Sequence, residues 1–171
     1  MAIKHSVLDA LATAGFDSKQ LKQSPARRVV WSRDASHFQI QPGSTLRAKN
    51  VNEVSKILAA ATATQTPVTF RSGGSSLSGQ TLGRGLVVDT RSGFQKVLEI
   101  EEGSIKAEPG VTLSRLNGHL LKHQQKVGPD PASLVASTLG GAVSNNSSGM
   151  TCGVEFNSYA TITSAEIVFA D

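Results

Sequence analysis

The stretch Arg71-Ser72-Gly73-Gly74-Ser75-Ser76-Leu77-Ser78-Gly79-Gln80 constrains this chain more than any other. It lies between two short apolar runs, Pro67-Val68-Thr69-Phe70 and Leu86-Val87-Val88-Asp89, which predict two buried strands. A strand opening into Gly-Gly-Ser-Ser carries no bulky side chain to keep a ligand off the backbone. Glycine also reaches positive φ, which turns successive amides toward one point and makes an anion-binding nest. Ser72, Ser75, Ser76 and Ser78 add hydroxyls around it. The expected guest is a phosphate or pyrophosphate.

Two common phosphate loops do not fit. A P-loop ends in Gly-Lys-Ser/Thr, and no lysine occurs between Lys56 and Lys96. A dinucleotide fingerprint needs its third glycine to open a helix. Here Leu77-Ser78-Gly79-Gln80-Thr81 leads through Gly83 and Gly85 into a strand.

A second small-residue segment follows. Gly128-Pro129-Asp130-Pro131-Ala132-Ser133 precedes Thr138-Leu139-Gly140-Gly141 and then Ser144-Asn145-Asn146-Ser147-Ser148-Gly149. The prolines fix φ and stiffen the turn, while Asp130 and Ser133 suit the cap of a helix expected to begin near Leu134. Gly140-Gly141 permits close approach to another backbone or to a flat ring. Asn145, Asn146 and Ser148 offer amides and hydroxyls beyond it. Two hydroxyl-rich loops suit a long, phosphate-bearing cofactor.

The remaining patterns predict a compact α+β arrangement. Ile3, Val7, Leu8 and Leu11 fall on one helical face that ends at Gly15. Residues 17 to 43 read as an irregular arm, and Thr45 to Ala48 as a short strand. Asn50 and Glu53 predict a capping box for a helix carrying Val54, Ile57, Leu58 and Ala61. That β-α-β unit aims the end of its second strand at the ligand. Residues 97–100 and 104–108 predict a hairpin, and Thr112 starts a helix facing Leu113, Leu116, Leu120 and Leu121 inward. A last strand is expected over residues 165 to 170. The expected divisions are an N-terminal helix and arm over 1–43, a first subdomain with the loop over 44–95, and part of a second over 96–171.

Composition excludes more than it suggests. Apolar residues at 39% and charged residues at 18% describe an ordinary globular chain. The net charge of +4 invites a nucleic-acid reading, but aromatics are only 5% and Arg27-Arg28 is the only adjacent arginine pair, so no nucleic acid is expected. A single cysteine, Cys152, excludes an internal disulfide and a Cys-rich metal or iron-sulfur site. It reads as a small, partly buried side chain. His119 and His123 stand at i, i+4 without the glutamate of a zinc-protease helix, so they read as a surface pair and no metal is expected. Without a membrane-length apolar run or a signal-peptide core, a cytoplasmic place is expected, peripheral to the inner membrane at most.

Phe70 to Gln80 resembles the pyrophosphate loop of the FAD-binding domain of the p-cresol methylhydroxylase/vanillyl-alcohol oxidase superfamily. Pro129-Asp130-Pro131-Ala132-Ser133 with Thr138-Leu139-Gly140-Gly141 and Asn145-Asn146 resembles its second flavin-contacting segment. The likeness covers residues 25 to 171 and is nearest to FAD-linked 2-hydroxyacid dehydrogenases of the D-lactate dehydrogenase and glycolate oxidase group. Arg33-Asp34-Ala35-Ser36 is similar to a run preceding this domain in large D-lactate dehydrogenases fused to an iron-sulfur module.

The resemblance implies FAD as cofactor, held by backbone amides from Ser72 to Leu77 with the Ser75 and Ser78 hydroxyls assisting. Arg71, Gly73, Gly74, Ser76 and Gln80 complete that set. Pro129, Asp130, Ser133, Thr138, Gly140, Gly141 and Asn145 are implied to line the flavin and ribityl chain, and Ile167 the adenine end. Some relatives bind flavin covalently through a histidine; Ser75 or Ser76 stands there, which implies noncovalent FAD. The implied activity is oxidation of a small 2-hydroxy acid, D-lactate or glycolate, by hydride transfer to flavin N5, with a quinone, cytochrome or iron-sulfur module as electron acceptor. The competing expectation is a non-catalytic nucleotide-binding or subunit-interaction module. Since the family continues past the strand expected at the end, the chain is expected to be a piece of a longer protein. The catalytic residues are then unknown, and open strand edges would favour self-association.

Overall fold

In a computed structural model, residues 5–21 and 23–170 are described. The chain divides into two compact units, Met1–Gly93 with Ile167–Asp171, and Phe94–Glu166.

The first unit opens with helix α1, His5–Thr13, which buries Val7 and Leu11 completely. Ile3, assigned to the same face, lies outside the described residues. The arm is more ordered than its composition suggests. It carries helices α2, Ser18–Leu21, and α3, Pro25–Val30, the latter capped by Ser24 with Pro25 at its first position, where no amide partner is needed.

Strand β1, Ser44–Arg47, leads to helix α4, Val51–Ala63, and strand β2, Val68–Arg71; strand β3, Leu86–Asp89, follows the glycine-serine loop. The Asn50 carboxamide accepts from the Glu53 amide at 2.9 Å, so the predicted cap is present. The glutamate returns the bond one residue earlier, taking the Lys49 amide at 2.8 Å.

The three strands form a parallel sheet in the order β1-β3-β2. All four residues of β3 are buried, as expected of a central strand without alternation. The register aligns Arg47, Asp89 and Arg71 at the carboxyl ends of the strands. The glycine-serine loop leaves from that edge, where open α/β sheets commonly take ligands.

The second unit contains the predicted hairpin, β4 (Val97–Glu101) and β5 (Ser104–Ala107), with a bulge between Val97 and Glu99. Helix α5, Leu113–Leu120, is capped by Thr112 and packs Leu113 and Leu116 into a core with Val111 and Ala142, against which Val97, Ile105 and Ala107 rest. Leu121 is 76% exposed rather than inward. The chain tightens there into a 3-10 turn, Leu121–His123, ending at Gln124 with φ 56°. That change of pitch rotates Leu121 off the buried face.

Two expected elements differ. Residues 132–136 form turns, and helix α6 begins later, as Leu139–Ser144 with Thr138 at its cap. The cause is a competing pairing. Leu113 donates to the Ser137 carbonyl at 3.0 Å and Leu139 to the Val111 carbonyl at 2.8 Å, which holds residues 137–139 extended. Residues 162–170 run without a ladder partner among the described residues, so the strand expected over 165 to 170 does not form. A short helix α7, Ser158–Thr161, precedes them.

Candidate functional site

Gly74 decides the shape of the first loop. Its φ is +65°, and a Cβ there would stand 2.5 Å from Nη2 of Arg71. Only glycine accepts both the conformation and the approach. Ser72 to Ser76 are half-buried, while Leu77 is 77% exposed. Among the described residues, the amides of Gly73, Gly74 and Leu77 donate to no protein acceptor. A run of unused amides beside the Arg71 guanidinium suits a phosphate group.

The serines divide in role. The Ser76 hydroxyl accepts from the amides of Ser78 and Gln80, both at 3.2 Å, and donates to Oε1 of Gln80 at 3.0 Å. Ser76 and Gln80 therefore staple the far half of the loop to itself. The Ser78 side chain stands exposed.

Arg71 is half-buried, and its Nη1 donates to Oγ1 of Thr81 at 3.2 Å. Burial lowers its pKa, while the charges of Asp34 and Asp89 act in the opposite direction. It remains a cation at neutral pH. Asp89 is engaged elsewhere: Arg47 Nε lies 3.3 Å from its Oδ2, the Ser92 hydroxyl donates to the same oxygen at 2.8 Å, and the Arg91 amide to Oδ1. Arg71 thus keeps its charge at the loop rather than losing it to a direct pair with Asp89.

The sequence singled out Arg33-Asp34-Ala35-Ser36 only for its resemblance and not as the support on which this loop rests. Ala35 donates its amide to the Gly74 carbonyl at 3.2 Å. Asp34 accepts from the Thr81 hydroxyl at 3.0 Å and from the Ser36 amide and hydroxyl. Partial burial raises the Asp34 pKa, but the bonds from Ser36 and Thr81 outweigh it and leave the carboxyl below its ordinary value. The available signal was Asp34-Ala35-Ser36 itself, a sequence suited to an Asx turn.

In the second segment, Gly140 is committed to its own unit. Its amide bonds to the Pro109 carbonyl at 2.9 Å, and a Cβ would come within 2.6 Å of the Pro109 Cβ. Gly141 is exposed. Of the two readings of this pair, Gly140 therefore takes the backbone approach, while a Cβ on Gly141 would meet only the Thr138 hydroxyl, at 3.2 Å. Thr138 is buried and accepts from the Gly141 amide at 3.4 Å. Pro129 is buried, Ser133 shares a 2.6 Å bond with the Ser137 hydroxyl, and Asn145 is exposed at the end of α6.

Asp130 is a clamp. Its carboxylate accepts from the Thr151 amide at 3.2 Å, the Thr151 hydroxyl, and the Cys152 amide at 3.1 Å. Slight desolvation pushes the carboxyl up, yet the Cys152 and Thr151 bonds and the Lys126 charge pull it below its ordinary value. A lowered folded pKa adds stability above the unfolded value, which is lost as pH falls through the folded one. Asp130→Ala is expected to raise amide exchange at Thr151 and Cys152 and to remove that acid-dependent contribution. Unchanged exchange at both amides would contradict the clamp.

Ile167 is 65% exposed and belongs to the first unit, where the Thr62 hydroxyl donates to the Ala170 carbonyl at 3.0 Å. Among the described residues no group of three His, Cys, Asp or Glu is placed to hold a metal ion, and no helix is long and apolar enough to cross a membrane.

Comparison with known proteins decides the kinship. The family model described as the FAD binding domain matches residues 42–171. The chain belongs to this FAD-binding family. Glycolate oxidase subunit GlcD of Bacillus subtilis is 29% identical over 153 residues, covering 86% of this chain and 31% of that protein. D-2-hydroxyglutarate dehydrogenase of Pseudomonas putida is 31% identical over 147 residues, 83% of this chain and 14% of that protein. The chain thus spans a third or less of these relatives. The structure of an alkyldihydroxyacetonephosphate synthase matches with a TM-score of 0.77 over 92% of this chain and 32% of that one, at 21% identity. Xylooligosaccharide oxidase from Myceliophthora thermophila C1 gives 0.76 over 96% and 35%, at 17%. The mixed α and β fold is that of the p-cresol methylhydroxylase/vanillyl-alcohol oxidase superfamily, and its cofactor is FAD. The cradle at Gly74 and the adjacent Arg71 fit the pyrophosphate of that group.

Proposed function

We propose that this chain is the FAD-binding portion of an oxidoreductase acting on a small 2-hydroxy acid such as D-lactate, glycolate or D-2-hydroxyglutarate. The carrying observation is the Gly74 cradle at the carboxyl end of β2, with unused amides and the Arg71 cation beside it. In this reading Ser72, Gly73, Gly74, Ser75 and Leu77 bind the pyrophosphate, with the Ser78 hydroxyl assisting. Ser76 and Gln80 keep the loop in shape. In the second unit, Gly141, Thr138 and Asn145 present the α6 end to the flavin. Pro129, Asp130, Ser133 and Gly140 hold that surface in place, and Ile167 meets the adenine end.

When bound, FAD supplies the hydride acceptor at its N5. The chain's part is binding, orientation and exclusion of water. The electron acceptor in this reading is a quinone, a cytochrome or an iron-sulfur module.

The test uses the whole protein loaded with FAD under anaerobic conditions. One of the three acids is expected to bleach the flavin's visible absorbance within the mixing time or over seconds. Stoichiometric FAD that none of the three reduces would sink the dehydrogenase reading and leave a non-catalytic binding module. Because serines hold the place of a flavin-linking histidine, acid precipitation is also expected to release the flavin into the supernatant. Colour retained in the pellet would contradict a noncovalent cofactor.

A further inference from the structure

The arm before β1 touches the phosphate loop at three places. The Ala35 amide reaches the Gly74 carbonyl, Asp34 Oδ2 accepts from Thr81, and the Phe38 ring lies where a Cβ on Gly79 would come within 3.0 Å. An isolated bridge between Arg33 and Gln39 closes the arm into a tight loop, with Arg33 Nη2 on Gln39 Oε1 at 2.7 Å. Asp34 is thereby held by its own neighbours: Ser36 takes one oxygen and leaves the other for Thr81. Thr81 uses its hydrogen toward Asp34 and its lone pair toward Arg71. A chain of three side chains results, carboxylate to hydroxyl to guanidinium, ending against Gly74.

We propose that residues 33–38 are a positioning element for the pyrophosphate loop, with Asp34 setting the place of the Arg71 guanidinium through the Thr81 hydroxyl. The arm precedes residues 42–171 that the family model covers. An arginine is long and flexible, and a half-buried one held among the described residues by a single hydroxyl stays in one rotamer only if that hydroxyl is itself fixed. Asp89 does not serve, since Arg47, the Arg91 amide and Ser92 already occupy it. The polarity of the chain matters too. With Asp34 ionised, the Thr81 hydrogen must point at the carboxylate, so its lone pair faces Arg71. Asp34 acts on the ligand only through Thr81 and Arg71, and is a positioning residue.

The inference rests on the phosphate reading of the loop, and the experiment separates the two. FAD dissociation constants are measured on the whole protein for Gly74→Val, Asp34→Asn, Arg71→Gln and the double variant Asp34→Asn/Arg71→Gln. Asp34→Asn is expected to weaken FAD about tenfold, the size of one lost charge-assisted bond. The double variant is expected to bind no worse than Arg71→Gln alone, because the aspartate has nothing left to hold. Losses that multiply instead, or wild-type affinity in Asp34→Asn, overturn the positioning role while Gly74→Val still loses FAD. Wild-type FAD affinity in Gly74→Val overturns the phosphate reading itself and the inference with it. Should Asp34→Asn not fold, Thr81→Val replaces it in the cycle. Thr81→Ser keeps the hydroxyl and is expected to restore binding, a rescue that mere packing at this position would not give.

Discussion

Gly74→Val is expected to strip FAD from the protein while its helices and sheets stay in place. The substitution fails twice at one atom. A β-branched residue at φ +65° is strained by roughly 1–3 kcal/mol. Its Cβ would also stand 2.5 Å from the Arg71 guanidinium nitrogen, so either the arginine leaves or the loop moves. Both routes misplace the unused amides of Gly73 and Gly74. Each bond from an amide to a charged oxygen contributes about 1.5–3 kcal/mol, so losing two of them weakens binding by roughly two to four powers of ten. The loop lies outside every strand and helix, and far-UV circular dichroism should barely change. Flavin content after gel filtration is the deciding measurement; wild-type occupancy would refute the site.

Why this loop could be read from the sequence, and the arm could not, comes down to locality. Gly74 advertises its conformation by being glycine, and the caps at Asn50 and Thr112 act across three positions, to the amides of Glu53 and Arg115. Such signals lie inside a short window. The Asp34–Thr81 bond joins residues 47 positions apart, and the Ala35–Gly74 bond connects two backbone groups whose side chains take no part. Nothing in either segment alone encodes the meeting. The same limit explains α6. Ser133 and Asp130 look like helix caps, but Ser133 pairs with Ser137 and Asp130 turns to Thr151 and Cys152. The pull of Val111 and Leu113 on residues 137–139 then delays the helix to Leu139. Apolar composition alone suggested a strand over 165–170, and a strand needs a neighbour as much as it needs valine and isoleucine.

The glycine pair at the start of α6 gives a contrast of the same kind. Gly140→Val is expected to destabilise the second unit, and Gly141→Ala is not. At Gly140 a Cβ would meet the Pro109 Cβ at 2.6 Å and the Pro109 carbonyl oxygen at 3.2 Å. That carbonyl also receives the Gly140 amide, so relief by moving the backbone breaks the bond that ties the start of α6 to the Pro109 turn. Overpacking of this kind costs roughly 1–3 kcal/mol before the lost hydrogen bond is counted. At Gly141 the nearest atom to a new Cβ is the Thr138 hydroxyl at 3.2 Å, the position is exposed, and alanine is the better helix former by about 1 kcal/mol. Gly141→Ala should therefore melt no earlier than the parent in its apo form. Its FAD affinity should nonetheless fall, because the added methyl stands on the surface assigned to the flavin. Thermal melting of the apoproteins and FAD titration, run side by side, separate the two roles. Loss of stability in Gly141→Ala would show that the Thr138 hydroxyl cannot yield to a methyl, and unchanged affinity in a stable Gly141→Ala would show that the second segment meets the cofactor elsewhere.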